Sequence, residues 1–91
     1  MYLEIVSPER VLLSAEITSV TVPGVDGEFQ LLNNHAPIIS LLNEGTVKVS
    51  GNITLTEENE ALFTKKGDQL MHDIKGGVIE LKDNKIIILA D

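Results

Sequence analysis

His35 and His72 are the only imidazoles in the chain, and they lie 37 residues apart with neither an HxH nor an HExxH spacing around them. Zinc chemistry needs ligands at short, fixed intervals, so each histidine reads as an ordinary loop or strand residue. Asp73 follows His72 directly. Adjacent strand residues point to opposite faces, which rules against a catalytic dyad there. Ser7, Ser14, Ser19, Ser40 and Ser50 all lie outside any GxSxG elbow. No GxGxxG or GxxxxGK[ST] run exists to cradle phosphate, and no EF-hand loop is present. Glu57-Glu58 reads as a solvated turn. A lipoyl or biotinyl carrier needs a lysine at a hairpin tip, but Asp83-Asn84 occupy the tip beside Lys85. With no cysteine, thiolate, disulfide and zinc–sulfur chemistry are excluded. These residues predict a protein that is not an enzyme, with no cofactor, metal or small-molecule ligand. The catalytic alternative is a small hydrolase or metal enzyme using His35, His72 and nearby acids.

The stretch Val22 to Gly45, VPGVDGEFQLLNNHAPIISLLNEG, offers a different kind of chemistry. Strand breaks and apolar runs surround one polar loop, Asn33-Asn34-His35-Ala36-Pro37. Pro37 fixes its own φ and biases Ala36 to an extended shape. Asn33 and Asn34 tolerate turn geometry and can bond their own backbone. A small, pre-ordered loop binds a partner at little entropic cost. The plainer reading is a simple strand connector.

Those segments must be positioned by a single domain, since 91 residues bury only roughly 60–65% of their unfolded surface. The hydrophobic fraction of 43% suits a globular fold rather than disorder. The net charge of −7 repels nucleic acid and anionic lipid on average, whatever the local basic pair Lys65-Lys66 does. Tyr2, Phe29 and Phe63 are too few aromatics for a base-stacking platform. Met1-Tyr2-Leu3-Glu4 lacks the basic start and long apolar run of a signal peptide. The longest apolar run, Ile86 to Ala90, is far short of the roughly twenty residues that span a bilayer, so direct membrane insertion is not expected.

The hydrophobic period is mostly two. Val20 and Val22 alternate with Ser19 and Thr21, Val47 and Val49 with Lys48 and Ser50, Ile53 and Leu55 with Thr54 and Thr56. Breakers at 7–10, 23–27, 43–45, 51–52, 67–68, 76–77 and 83–84 cut the chain into short strands, the pattern of a sandwich or barrel. Strands are predicted near 2–6, 11–13, 16–22, 28–32, 38–41, 46–50, 53–56, 61–64, 69–74, 77–81 and 85–90. Glu57 to Phe63 is too short for a stable helix and reads as a loop leading into a strand. Ile86 to Leu89 is apolar on both sides, which predicts a strand that is paired and covered on both faces. Lys82 to Lys85 should fold it back on Val78 to Leu81 as a hairpin.

Three blocks in order and at this spacing carry a resemblance: LEIVSPE, then VTVPGVDGEFQLLNNHAP, then GGVIELKDNKIIILAD. Together, PGxxGEF, NHAPIIS and LAD resemble the epsilon subunit of F-type ATP synthase, over its N-terminal β-sandwich domain and essentially the whole of this chain. The resemblance implies an all-β fold: a flattened, ten-stranded antiparallel β-sandwich or barrel with little or no helix. It implies a non-catalytic rotor subunit at the foot of the central stalk, coupling the proton-driven c-ring to the gamma subunit for ATP synthesis. Such a subunit is peripheral, at the cytoplasmic face of the inner (plasma) membrane. Carried over by residue, Glu28 faces the c-ring loops, which in this family present basic side chains. Asn33, Asn34 and His35 lie on or near the same surface, while Ser7, Ser40 and Leu42 face gamma.

The chain departs from the family pattern in two places. The family usually continues past LAD into two C-terminal helices that carry its inhibitory extension and, in some members, an ATP-binding motif. This chain stops at Asp91, so neither property is carried over; a short form and a truncation both stay open. The stretch Gly51 to Lys75 is also longer than the family's usual link, which predicts a protruding loop or extra hairpin. The competing reading to a rotor subunit is an unrelated β-sandwich binding module, an adaptor in another assembly.

Overall fold

Alternation in sequence becomes alternation in burial. The computed structural model describes every residue from Met1 to Asp91 and forms ten strands. They are β1 (Tyr2–Val6), β2 (Val11–Glu16), β3 (Ser19–Gly24), β4 (Gly27–Leu32), β5 (Ile38–Leu42), β6 (Gly45–Ser50), β7 (Thr64–Lys66), β8 (Gln69–Ile74), β9 (Gly77–Lys82) and β10 (Lys85–Ala90). Leu3 and Ile5 of β1, Val20 and Val22 of β3, and Ile86 and Ile88 of β10 are completely buried, with the residues that alternate with them turned outward. This parity is what a half-covered pleated sheet imposes.

All ten strands belong to one sheet, bent into two leaves. The first leaf runs β2-β1-β10-β9-β5, and the second runs β4-β3-β6-β8-β7. They join at one corner, where Gly24 of β3 meets Leu42 of β5. Every pairing is antiparallel except β1 with β10, which is parallel. The apolar inner faces close on each other and make a single core of 19 residues. The chain makes its last change of leaf between β8 and β9, at Gly76-Gly77. Gly77 has φ +154, and a Cβ there would overlap the Leu89 carbonyl oxygen. Only glycine allows this close approach.

The β9–β10 hairpin forms as predicted, with Leu81 opposite Ile86 and Lys82 opposite Lys85. Its tip holds Asp83 and Asn84 at φ 52 and 61, the geometry of a type I′ turn. Elsewhere the sequence reading needs correction. β2 extends to Glu16 and β3 starts at Ser19, because Ser14 to Glu16 keep pairing with Glu4 to Tyr2 of β1. The reversal falls at Ile17-Thr18, without glycine or proline to announce it; the Ile17 amide donates to the Met1 carbonyl instead.

The strands predicted at 53–56 and 61–64 do not form. Ile53 and Leu55 alternate in burial, but residues 52–59 pair with no strand. Glu60–Leu62 make a short 3-10 turn, and β7 begins only at Thr64. The long link supplies the extra β7–β8 hairpin, but the rest of it does not protrude. It lies as a strap across the open side between β2 and β8, with Ile53, Leu55, Leu62 and Phe63 packed on the core. Arg10 donates to the Glu58 carbonyl at 2.9 Å and Asn59 to the Leu12 carbonyl at 3.3 Å. Asn59 also accepts from the Thr56 amide at 2.8 Å, which holds the turn. Here local side-chain bonds and core contact outcompete strand pairing.

Candidate docking surface

Strand parity sends every second residue of the first leaf outward, and register then lines those residues up. Val11 sits opposite Val6, Val6 opposite Leu89, Leu89 opposite Val78, and Val78 opposite Leu41. The outcome is one apolar row across all five strands of that leaf, about 19 Å long at ~4.8 Å per strand. Leu41 is 62% exposed, and Val11 and Leu89 are 53% each. Ile39 and Ile87 stand in the next row, on either side of Glu80. Ile39 is the most exposed large apolar residue in the chain, at 72%. The expected cover over both faces of β10 is therefore missing: Ile86 and Ile88 are buried, while Leu89 lies bare. Contiguous apolar surface of this kind marks a contact site.

Ser7, Ser40 and Leu42 stand differently from one another. Ser7 is half-buried beside the row, and its hydroxyl is engaged in the β1–β2 turn, donating to the Arg10 carbonyl and accepting from the Arg10 amide. Ser40 points inward and donates to the Leu41 carbonyl at 3.2 Å. Leu42 is 5% exposed and belongs to the core. A partner approaching β5 meets Ile39 and Leu41 first, and Leu42, expected to face gamma, lies behind them in the core. The signal for the outward pair was IISLL itself, a strand with apolar residues at both parities.

The polar loop is held firmly, though not by its own residues alone. Asn84, at the β9–β10 tip, accepts from the Asn34 amide at 2.9 Å and donates to Asn33 at 2.8 Å. Asn34 takes φ 63, a conformation asparagine tolerates. His35 Nδ1 lies 2.7 Å from the Ala36 carbonyl, and the whole loop is exposed. Glu28 is far from it. It sits at the opposite end of β4, about 17 Å away along an extended strand, beside Asp26 and 3.3 Å from Lys48. A contact confined to one end of the sandwich reaches Glu28 or the Asn33–His35 loop, not both.

His72 faces the inner side of β8. It donates or accepts at the Leu62 carbonyl, 2.8 Å away, and its ring lies 5.2 Å from Phe63. Asp73, on the other face, accepts from Thr46. The two do not meet, as strand geometry predicted. His35 lies in the loop and His72 under the strap, and no group of three acidic or imidazole side chains is close enough to hold a metal ion. No helix is long and apolar enough to cross a membrane.

The family model for the ATP synthase delta/epsilon chain β-sandwich domain matches residues 1–91. The chain belongs to that family. It is 37% identical over 89 residues to the ATP synthase epsilon chain of Chlorobium limicola, covering 98% of this chain and 86% of the relative. It is 35% identical over 88 residues to the epsilon chain of Leptospira borgpetersenii serovar Hardjo-bovis, but spans only 58% of that relative. Among solved structures it is similar to a chain of the Tetrahymena thermophila mitochondrial ATP synthase central stalk and c-ring, with a TM-score of 0.73 at 14% identity over 98% of this chain and 61% of that one. A chain of the Euglena gracilis mitochondrial ATP synthase gives 0.72 at 19% identity, over 97% of this chain and 48% of that one. At such identities the structural likeness concerns the fold, and the all-β sandwich of this delta/epsilon-family chain agrees with it.

Proposed function

We propose that this chain is a non-catalytic subunit of an F-type ATP synthase central stalk, transmitting c-ring rotation to the gamma subunit for ATP synthesis. Family membership supports the assembly, and one observation carries the docking role: the apolar row of Val11, Val6, Leu89, Val78 and Leu41 lies bare on the outer face of the first leaf. In this reading gamma covers the row, with Ser7 at its margin and Ser40 and Leu42 supporting it from within. Shape and apolar contact hold the joint.

The c-ring takes the acidic end, where the β3–β4 hairpin carries Asp26 and Glu28 and the β5–β6 turn with Glu44 is tied to it by the bond from the Asn43 amide to the Pro23 carbonyl. Basic c-ring loops would meet complementary charge there, which sets register more than affinity. The loop of Asn33, Asn34 and His35 is then a second, separate contact at the far end of β4, available to the c-ring only if that partner runs along the whole strand. The subunit is peripheral, held to the cytoplasmic face of the membrane through the assembly.

The test is to mix the purified chain with the gamma subunit of the same synthase at micromolar concentration and separate the mixture by gel filtration. Co-elution is expected. Independent elution of the two proteins defeats the proposal.

A further inference from the structure

A sheet bent into two leaves has four outer edges, and three of them are guarded. The β2 edge lies under the strap, with Asn59 bonded to the Leu12 carbonyl. β7 is three residues long, fully exposed, and carries Lys65 and Lys66. β4 turns Glu28 and Gln30 outward along its length. Short length, charge and a covering segment are the usual protections against unwanted strand pairing.

β5 has none of these. It pairs with β9 on one side and touches β3 only at Gly24, beside Leu42. The Leu41 carbonyl accepts from the Val25 amide at 3.3 Å, so the Leu41 main chain points away from β9. Antiparallel alternation turns Ile39 the same way. The Ile39 amide and carbonyl and the Leu41 amide thus face an open edge without a strand partner. The outward side chains at these two positions are also the two most exposed large apolar residues of the protein, at 72% and 62%. Leu41 ends the apolar row, so this edge is continuous with the face proposed for gamma.

We propose that the free edge of β5 takes an extended segment of the gamma subunit as an added strand, bonded through Ile39 and Leu41. This rests on the stalk reading above. Unpaired main-chain donors and acceptors select a strand, not a helix or a charged surface. The incoming segment carries apolar side chains at alternate positions, which lie against Ile39 and Leu41 and extend the row beyond β5. A rigid entry at Pro37 keeps the edge straight at little entropic cost.

The experiment is residue-level amide exchange by NMR on the full chain, free and bound to gamma. In the free protein, Ile38 and Ser40 exchange slowly through their bonds to β9, while Ile39 and Leu41 exchange fast. In the complex, Ile39 and Leu41 slow by at least tenfold. A complex that leaves these two amides fast overturns strand addition while sparing the stalk reading. Absence of any complex overturns both. Slowing in the free protein that grows with concentration assigns the edge to a second copy of this chain, and overturns the proposal. Affinity supplies the second arm. Ile39→Pro removes the amide at an edge position that proline tolerates, and Ile39→Ala removes only the side chain. Ile39→Pro is expected to bind gamma at least tenfold more weakly than Ile39→Ala. Equal weakening means the side chain alone docks, and the proposal fails.

Discussion

The two outer faces of this sandwich are built by the same rule and differ in what the rule exposes. In both leaves the inward parity is mainly apolar, with Ser40 and His72 as polar exceptions. Outward, the second leaf shows Gln30, Thr21, Lys48, Met71 and Thr64 in one row, and Leu32, Ser19, Ser50, Gln69 and Lys66 in another. The first leaf shows Val11, Val6, Leu89, Val78 and Leu41. Four of the six exposed large hydrophobics, Val11, Ile39, Leu41 and Leu89, lie on that one face. Folding does not need them there, since the core is complete without them. The contrast implies that the interior parity encodes the fold while the exterior parity encodes the partner.

Neighbouring residues of β5 break that contrast most sharply. Leu42→Ala should remove about 2–4 kcal/mol of stability, because Leu42 is buried in the core and its loss leaves a cavity. Urea unfolding measures it. Leu41→Asp should change stability by less than about 0.5 kcal/mol, as an exposed position does, yet abolish co-elution with gamma. If the two variants behave alike in both measurements, the assignment of faces is wrong.

A charge placed on each leaf sharpens the same point. Leu89→Glu should weaken binding to gamma by about two orders of magnitude, through an unpaired charge in an apolar contact. Met71→Glu, on the outer face of the second leaf, should leave it within about twofold. Isothermal titration with gamma separates them, and equal losses would mean that both leaves bind.

Much of this was legible before the structure. Period-two runs such as Val47-Lys48-Val49 and Val20-Thr21-Val22 specify both strand and face, and Asp83-Asn84 marks its hairpin. The failures share a cause: each depends on contacts distant in sequence. The reversal at Ile17-Thr18 is held by a bond from Ile17 to Met1, sixteen residues back in the chain, and carries no local turn residue. Ile53 and Leu55 alternate like a strand, but the segment pairs with none, and side-chain bonds from Arg10 and to Leu12 draw it into a strap. For the site, the family resemblance implied one surface for Glu28 and the Asn33–His35 loop; the length of β4 between them could be read only once the strand was in place. Runs that are apolar at both parities, IISLL and IIIL, were the strongest local sign of a docking face, and only register could show that they share a row.

The polar loop offers a smaller effect. Asn84→Ala removes both of its bonds to the loop and a favourable residue at φ 61, so stability should fall by about 1 kcal/mol. The loop amides of Asn33 to His35 should exchange faster, and binding of gamma to the apolar row should stay unchanged. Loss of gamma binding would make the loop part of the same joint and dissolve the separation between the two ends.

The smallest effect on folding falls at the acidic end. Glu28 and Lys48 are 3.3 Å apart but partly solvent-exposed, so Glu28→Lys should cost no more than about 0.5 kcal/mol, and less in high salt. Its effect on assembly should be selective. Reversing a charge beside Asp26 and Glu44 turns attraction toward a basic loop into repulsion, while the apolar row, on another face, is untouched. Reconstitution with the c-ring should therefore weaken more than binding to gamma does, and the gap should narrow as salt rises. Equal weakening at low salt would put Glu28 on the gamma side, and with it the polar end of the second leaf.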